Sequence, residues 1–156
     1  MQIRVDDLRG PEIAQLLRTH LANARRWSPP ESIHALDLGG LRAPQVTFWT
    51  AWEGATLLGC GALKELDRLH GEIKSMHTAE EFRGRGVATH LLAHIIGEAR
   101  QRCYQRLSLE NGSMEAYAPA RALYARFGFV RTGPFDSYAE DPNCFFMTLD
   151  LTKERA

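Results

Sequence analysis

The sequence predicts a single α+β domain, mixed αβ in type and built on a mostly antiparallel sheet, and three observations carry that expectation. Three β-type segments follow one another at residues 46–52, 56–66 and 72–78 with no helical pattern between them. The third runs through a glycine loop into a helical stripe of Val87, Leu91, Leu92, Ile95, Ile96 and Ala99. The remainder then reads strand, helix, strand, strand, which is not the regular alternation of a doubly wound parallel sheet.

Each element has its local reason. Residues 1–5 alternate and suit an edge strand. Pro11 opens a helix, because its missing N–H is one that a first turn leaves free anyway, and Ile13, Leu16, Leu17, Leu21 and Ala24 fall on one face. The run Arg25-Arg-Trp-Ser-Pro-Pro30 ends that helix, and residues 31–36 are expected to restart a short one before Gly39-Gly40. Glu53-Gly54 supplies a hairpin turn, and residues 67–71 turn the chain into the third strand. On that strand, alternation puts Glu72, Lys74 and Met76 on one face and Ile73, Ser75 and His77 on the other. After the central helix come a strand at 106–110, a linker Asn111-Gly-Ser-Met, a helix stopped by Gly128, a strand from Phe129, a loop at 134–143 and a closing strand at 144–151.

At 156 residues the chain is large enough to bury a core without disulfides or metal, so one domain is expected over 1–156. Lysine plus arginine and aspartate plus glutamate number 19 each, so the overall field attracts neither nucleic acid nor an anionic membrane, and any anion site must be local. The first residues lack a signal-type leader and no apolar run approaches a membrane span, so a cytoplasmic protein is expected. Cys60, Cys103 and Cys144 are scattered and the six histidines form no ligand-spaced cluster, so neither a disulfide framework nor a metal site is expected.

The loop Phe82-Arg-Gly-Arg-Gly-Val-Ala88 carries the chemistry. Gly84 and Gly86 allow close backbone approach, the first-turn amides of the following helix open onto the loop, and Arg83 and Arg85 add permanent charge. Together these want a phosphate. A P-loop is excluded, because no Gly-Lys pair occurs in the chain. A dinucleotide fingerprint fits Gly84, Gly86, Thr89 and Glu110 in part, but Thr89 stands where a third small residue belongs and Ala79-Glu-Glu81 sets two acids beside the phosphate.

At these residues the chain resembles the GNAT superfamily of N-acetyltransferases that use acetyl-coenzyme A. Arg83-Gly-Arg-Gly86-Val-Ala88 matches the family's Arg/Gln-x-x-Gly-x-Gly/Ala signature, and Leu107-Ser-Leu-Glu110 followed by Ala120-Arg-Ala-Leu123-Tyr124-Ala-Arg-Phe-Gly128-Phe129 matches its next strand and helix. The motif similarity covers roughly residues 56–151. It implies a GNAT-like acyl-CoA N-acyltransferase fold, with helices on both faces of the sheet and a splayed strand pair.

The resemblance also implies roles. The pyrophosphate of acetyl-CoA, a co-substrate, falls to Arg83, Gly84, Arg85, Gly86, Val87, Ala88 and Thr89, and the pantetheine arm to Met76, His77 and Thr78. Tyr124 takes the general-acid position, against a plain reading as a core aromatic, and Glu72 the general-base position, against a reading as a strand carboxylate paired with Lys74. Glu110, at the end of the adjacent strand, is the next base candidate. Trp27, His34 and Asp37 are acceptor-side candidates by position, against loop or packing roles. One departure stands out: Tyr117 occupies the family's usual asparagine position, and the loop after Glu110 is longer, so cofactor contacts from the start of that helix do not carry over.

The expected activity is acetyl transfer from acetyl-CoA to a primary amine of a small molecule or protein by direct attack in a ternary complex, without metal. The alternatives are a noncatalytic acyl-CoA-binding module and, further off, a dinucleotide-binding oxidoreductase. The expected partners are acetyl-CoA and an amine acceptor, with no nucleic acid or membrane, and a homodimer is left open.

Overall fold

The computed structural model describes residues 1–152, so the last four residues of the expected 1–156 domain lie outside the described residues. The strands are β1 (Gln2–Val5), β2 (Val46–Glu53), β3 (Thr56–Asp67), β4 (His70–Thr78), β5 (Arg106–Gly112), β6 (Val130–Thr132) and β7 (Cys144–Asp150). The helices are α1 (Pro11–Trp27), α2 (Leu38–Leu41), α3 (Val87–Gln101) and α4 (Ala118–Arg126). All seven strands join one sheet in the order β1-β2-β3-β4-β5-β7-β6. Every neighbouring pair is antiparallel except β4 and β5. This run of antiparallel strands removes the doubly wound arrangement that a dinucleotide-binding domain would need.

The two faces of the sheet are covered by different helices. Ile13, Leu16 and Leu17 of α1, with Leu41 of α2, pack on Phe48, Cys60 and Ala62. On the opposite face Leu91, Leu92, Ile95 and Ile96 of α3 pack on Leu63, Ile73, Leu107 and Leu109, and α4 adds Tyr124 to the same core. The four α3 side chains are at most 1% exposed; at roughly 1.5–3 kcal/mol for each such residue buried, this stripe anchors the helix that follows the glycine loop.

The expected helix at 31–36 does not form. A 3-10 turn spans Pro30–Ser32, and α2 begins later because Asp37 caps it, its Oδ1 accepting the Gly40 N–H at 2.8 Å. Strand β5 runs on to Gly112, since its pairing with β7 continues to Gly112 opposite Cys144.

The larger correction is on β4. Its pairing with β3 jumps from Lys74 opposite Ala62 to His77 opposite Cys60, so Ser75 and Met76 together face Gly61. Ser75 takes a positive φ of 54° to make this bulge. The expected faces therefore change partway along the strand. Met76 joins Ile73 in the α3 core, while His77 returns to the α1 side with Lys74. Met76 packs directly over Gly61, where a Cβ would lie 2.5 Å from Met76 Sδ and would displace that side chain.

Pairing between β4 and β5 ends at Ile73 opposite Leu109, although β4 continues along β3 and β5 continues along β7. The two strands splay beyond that point. The gap is the expected split pair.

Candidate active site

The glycine loop is built as its residues require. Gly84 and Gly86 have φ of 79° and 81°, and Gly86 is the N-cap of α3 with no side-chain cap. The first-turn amides of α3 are thus left for an anion. They line a cleft of about 570 Å³ that runs from Arg83, Gly84, Gly86, Val87, Ala88 and Thr89 past Met76, His77 and Thr78 to α4 at Ala120 and Tyr124. All of the expected cofactor residues line it except Arg85, whose guanidinium lies 5.4 Å from the Phe82 ring centre.

A second, smaller cavity of about 130 Å³ continues the gap between β4 and β5. It is lined by Glu72, Lys74, Ser75, Leu109, Glu110 and His34, among others. Both spaces share Met76, Tyr117, Ala120 and Tyr124, so they meet at the splay. Met76 has no register partner on either neighbouring strand, which leaves its backbone at the junction outside the ladder.

The ionisable groups differ sharply in how they are held. Glu72 is 2% exposed, and its Oε2 receives the Lys74 ammonium at 3.3 Å and the Tyr138 hydroxyl at 2.5 Å. Lys74 also donates to the Tyr138 oxygen at 2.9 Å, closing a three-membered network. Glu110 has no ion pair among the described residues. Burial pushes its carboxyl up to about 7, with the charges of Glu72 and Asp141 adding to this and the Cys144 thiol and Lys74 opposing it. Burial also raises the Tyr124 hydroxyl, and the charge of Glu110 raises it further, so Tyr124 keeps its proton across the physiological range.

Near the loops, His34 stacks edge-on to Tyr138 at 4.9 Å. Donor atoms of His34, Asp141 and Cys144 come within 4.8 Å of one another. Two of the three are already engaged: Asp141 Oδ2 accepts from Ser32 at 2.6 Å, and the Cys144 thiol, kept protonated by burial, is within hydrogen-bond range of Asp141.

Of the acceptor-side candidates, the structure brings His34 and Glu110 into the small cavity, places Trp27 in the large cleft, and leaves Asp37 as a helix cap lining neither. Tyr117 accounts for its own departure from the family pattern. Its ring fills the space over Gly112, where no Cβ would fit, its hydroxyl lies 3.3 Å from Ser28 Oγ, and it meets Trp27 edge-on at 5.7 Å. It therefore ties the end of β5 to the end of α1.

Sequence reasoning missed His20 and Tyr138. His20 and His77 approach through their Nδ1 atoms at 3.2 Å, one donating and one accepting. Burial lowers both to about 4, with His20 and Arg83 lowering His77 further, so both rings are neutral near pH 7. The spacing of Ile13, Leu16, Leu17, His20, Ala24 and Trp27 was a usable signal, because His20 occupies an inward position on the α1 stripe. Tyr138 sits in an irregular loop and carries no such signal.

Comparison with known proteins agrees with this geometry. Residues 12–129 match the model of the Acetyltransferase (GNAT) family. The chain is 56% identical over 151 residues to an uncharacterized N-acetyltransferase, YsnE of Bacillus subtilis (strain 168), covering 97% of this chain and 100% of that protein. It is 47% identical to the uncharacterized N-acetyltransferase YedL of Escherichia coli (strain K12), covering 96% and 94%. Among solved structures it resembles a protein described as an acyl-CoA N-acyltransferase from Klebsiella pneumoniae subsp. pneumoniae, with a TM-score of 0.81, 28% identity, and coverage of 96% and 97%. The chain belongs to the GNAT family of acetyltransferases and is an N-acetyltransferase.

Proposed function

We propose that this N-acetyltransferase binds acetyl-CoA in the large cleft and transfers the acetyl group directly to an amine held in the small cavity, with residues 1–156 working as one domain. The observation that carries this reading is the meeting of the two spaces at Met76, Tyr117, Ala120 and Tyr124. The cleft fits the co-substrate by its chemistry: uncapped α3 amides and Arg83 suit the pyrophosphate, and the unpaired stretch of β4 at Ser75 and Met76 suits an amide-bearing arm. Bound acetyl-CoA supplies an acetyl thioester. Glu110 takes a proton from the acceptor ammonium, and the freed nitrogen lone pair forms the new bond to the acyl carbon as the carbon–sulfur bond breaks. The Met76 N–H faces the charge that develops on the acyl oxygen, Tyr124 gives its proton to the departing sulfur, and the second proton that the new amide nitrogen must lose passes to the Tyr124 oxygen and restores the phenol.

Glu110 suits the base better than Glu72 on physical grounds. A base works best with a pKa near the working pH, and the buried Glu110 carboxyl stands at about 7. Glu72 is already bonded to Lys74 and Tyr138 and is better suited to fix the cavity wall. No covalent acyl-enzyme is needed, since Cys60 and Cys144 are buried thiols held protonated by burial, and such free thiols suit the cytoplasm. The test is thiol release from acetyl-CoA across a panel of amines. Amine-dependent release supports transfer, whereas tight binding of CoA with no turnover on any amine would indicate a binding module.

A further inference from the structure

The charge and size of the small cavity bear on what kind of amine it takes. At about 130 Å³ it is slightly smaller than an apolar cavity of about 150 Å³ that admits benzene, so it holds one slender end of a molecule. Ala24, Ile33, Leu109 and Ala120 give it apolar sides. Its lysine, Lys74, is committed to Glu72 at 3.3 Å and to the Tyr138 oxygen at 2.9 Å. Asp141, close enough to act on Glu110, has its two oxygens taken by the Ser32 hydroxyl at 2.6 Å and the Asn143 N–H at 2.8 Å. Glu110 is left with only a thiol, Cys144, as a hydrogen-bond donor, and with no cation in bonding range among the described residues.

A second, independent feature points to a bound polar group. Ser75 lines the same cavity, is 8% exposed, and has a hydroxyl that is buried with no hydrogen-bond partner among the described residues. It is also the residue held at φ 54° in the β4 bulge. A buried hydroxyl without a partner calls for one, and the cavity that Ser75 lines is where a ligand's polar group would supply it.

We propose that the acceptor is an unbranched primary alkylammonium with no carboxylate on the carbon next to its nitrogen, its charge met by Glu110 and its chain lying between the apolar walls. A carboxylate beside the nitrogen would be brought against Glu110 and near Asp141, with no uncommitted cation among the described residues that line the cavity to receive it. The narrow cavity disfavours a branch at that carbon for the same substrate. The inference rests on the acetyl-transfer reading only in naming this cavity as the acceptor side.

Equilibrium binding to the enzyme–CoA complex, read by calorimetry, tests the proposal separately from turnover. The ligands are n-pentylamine, 1,4-diaminobutane, Nα-acetyl-lysine amide, L-norleucine and L-norleucine amide. The unbranched amines are expected to bind at least about 100-fold more tightly than L-norleucine. L-Norleucine amide, which keeps the branch and loses the charge, is expected between them. Relative binding of the free amines and Nα-acetyl-lysine amide tells whether the alkylammonium is presented by a small molecule or by a lysine side chain. Glu110→Gln is expected to shrink the preference over L-norleucine to within a few-fold. L-Norleucine binding as tightly as n-pentylamine, or no measurable binding of any amine, would overturn the proposal. Selective amine binding without acetyl transfer would instead refute the acetyl-transfer reading and leave the charge selectivity intact.

Discussion

Glu110→Gln separates the proposed base from a merely buried carboxylate, because the structure fixes the sign of two independent effects. The Glu110 carboxyl stands at about 7 against an ordinary 4.5, chiefly through burial. A carboxyl raised in the folded state opposes folding wherever the unfolded chain has ionised and the native one has not. The penalty is absent below about pH 4.5, grows as pH rises toward 7, and is constant above. That interval corresponds to about 3 kcal/mol, and because Glu110 is partly open to the cavity, screening reduces it to roughly 1–2 kcal/mol. Glu110→Gln should therefore be more stable than wild type by that amount at pH 8 and equally stable at pH 4, as read by urea midpoints. Its kcat/KM for a good amine should fall about 100- to 10,000-fold, and the acidic limb of the wild-type profile, centred near pH 7, should vanish. A variant less stable than wild type at pH 8, or one whose pH–rate profile superimposes on wild type, would refute the reasoning.

Arg83→Ala should weaken acetyl-CoA binding by about 1.5–3 kcal/mol, the range for a charge-assisted hydrogen bond, and Arg85→Ala should cost less because Arg85 lies outside the cleft lining; calorimetry distinguishes them. Glu72→Gln strands the Lys74 ammonium, whose side chain is 8% exposed, and should cost about 3 kcal/mol of stability in urea while keeping the acidic limb of kcat/KM. Loss of that limb would restore Glu72 as the base. His20 and His77, lowered from 6.5 to about 4, contribute stability that is complete above pH 6.5 and lost as pH falls through 4. His77→Asn should move the acid-unfolding midpoint to lower pH, and an unchanged midpoint would show that the pair does not carry this term.

The sequence made the sheet legible where local pattern and tertiary packing agree. The α3 stripe from Val87 to Ala99 and the hairpin around Glu53-Gly54 are set by periodicity and turn chemistry, and both appear as expected. The glycine loop was legible for the same reason: Gly84 and Gly86 are needed at positive φ, and nine of the ten expected cofactor residues line one cleft. The β4 bulge was not, because it depends on Met76 passing over Gly61 from the neighbouring strand, a long-range fit that alternation within β4 does not encode. The same limit hid the different surroundings of the two glutamates. Glu72 and Glu110 look alike in sequence, and only the loop that brings Tyr138 onto Glu72 leaves one committed and the other free of any ion pair among the described residues.

The central claim is that Tyr124, at the junction of the two spaces, protonates the leaving sulfur. Tyr124→Phe keeps the ring and its 5.8 Å edge contact with Phe129 and removes only the hydroxyl. Steady-state thiol release from acetyl-CoA, with one good amine at saturation, should fall by about 100-fold or more in kcat, while calorimetric affinity for acetyl-CoA stays unchanged. Full turnover in a folded Phe variant would contradict the claim and leave Tyr124 as a residue of the core.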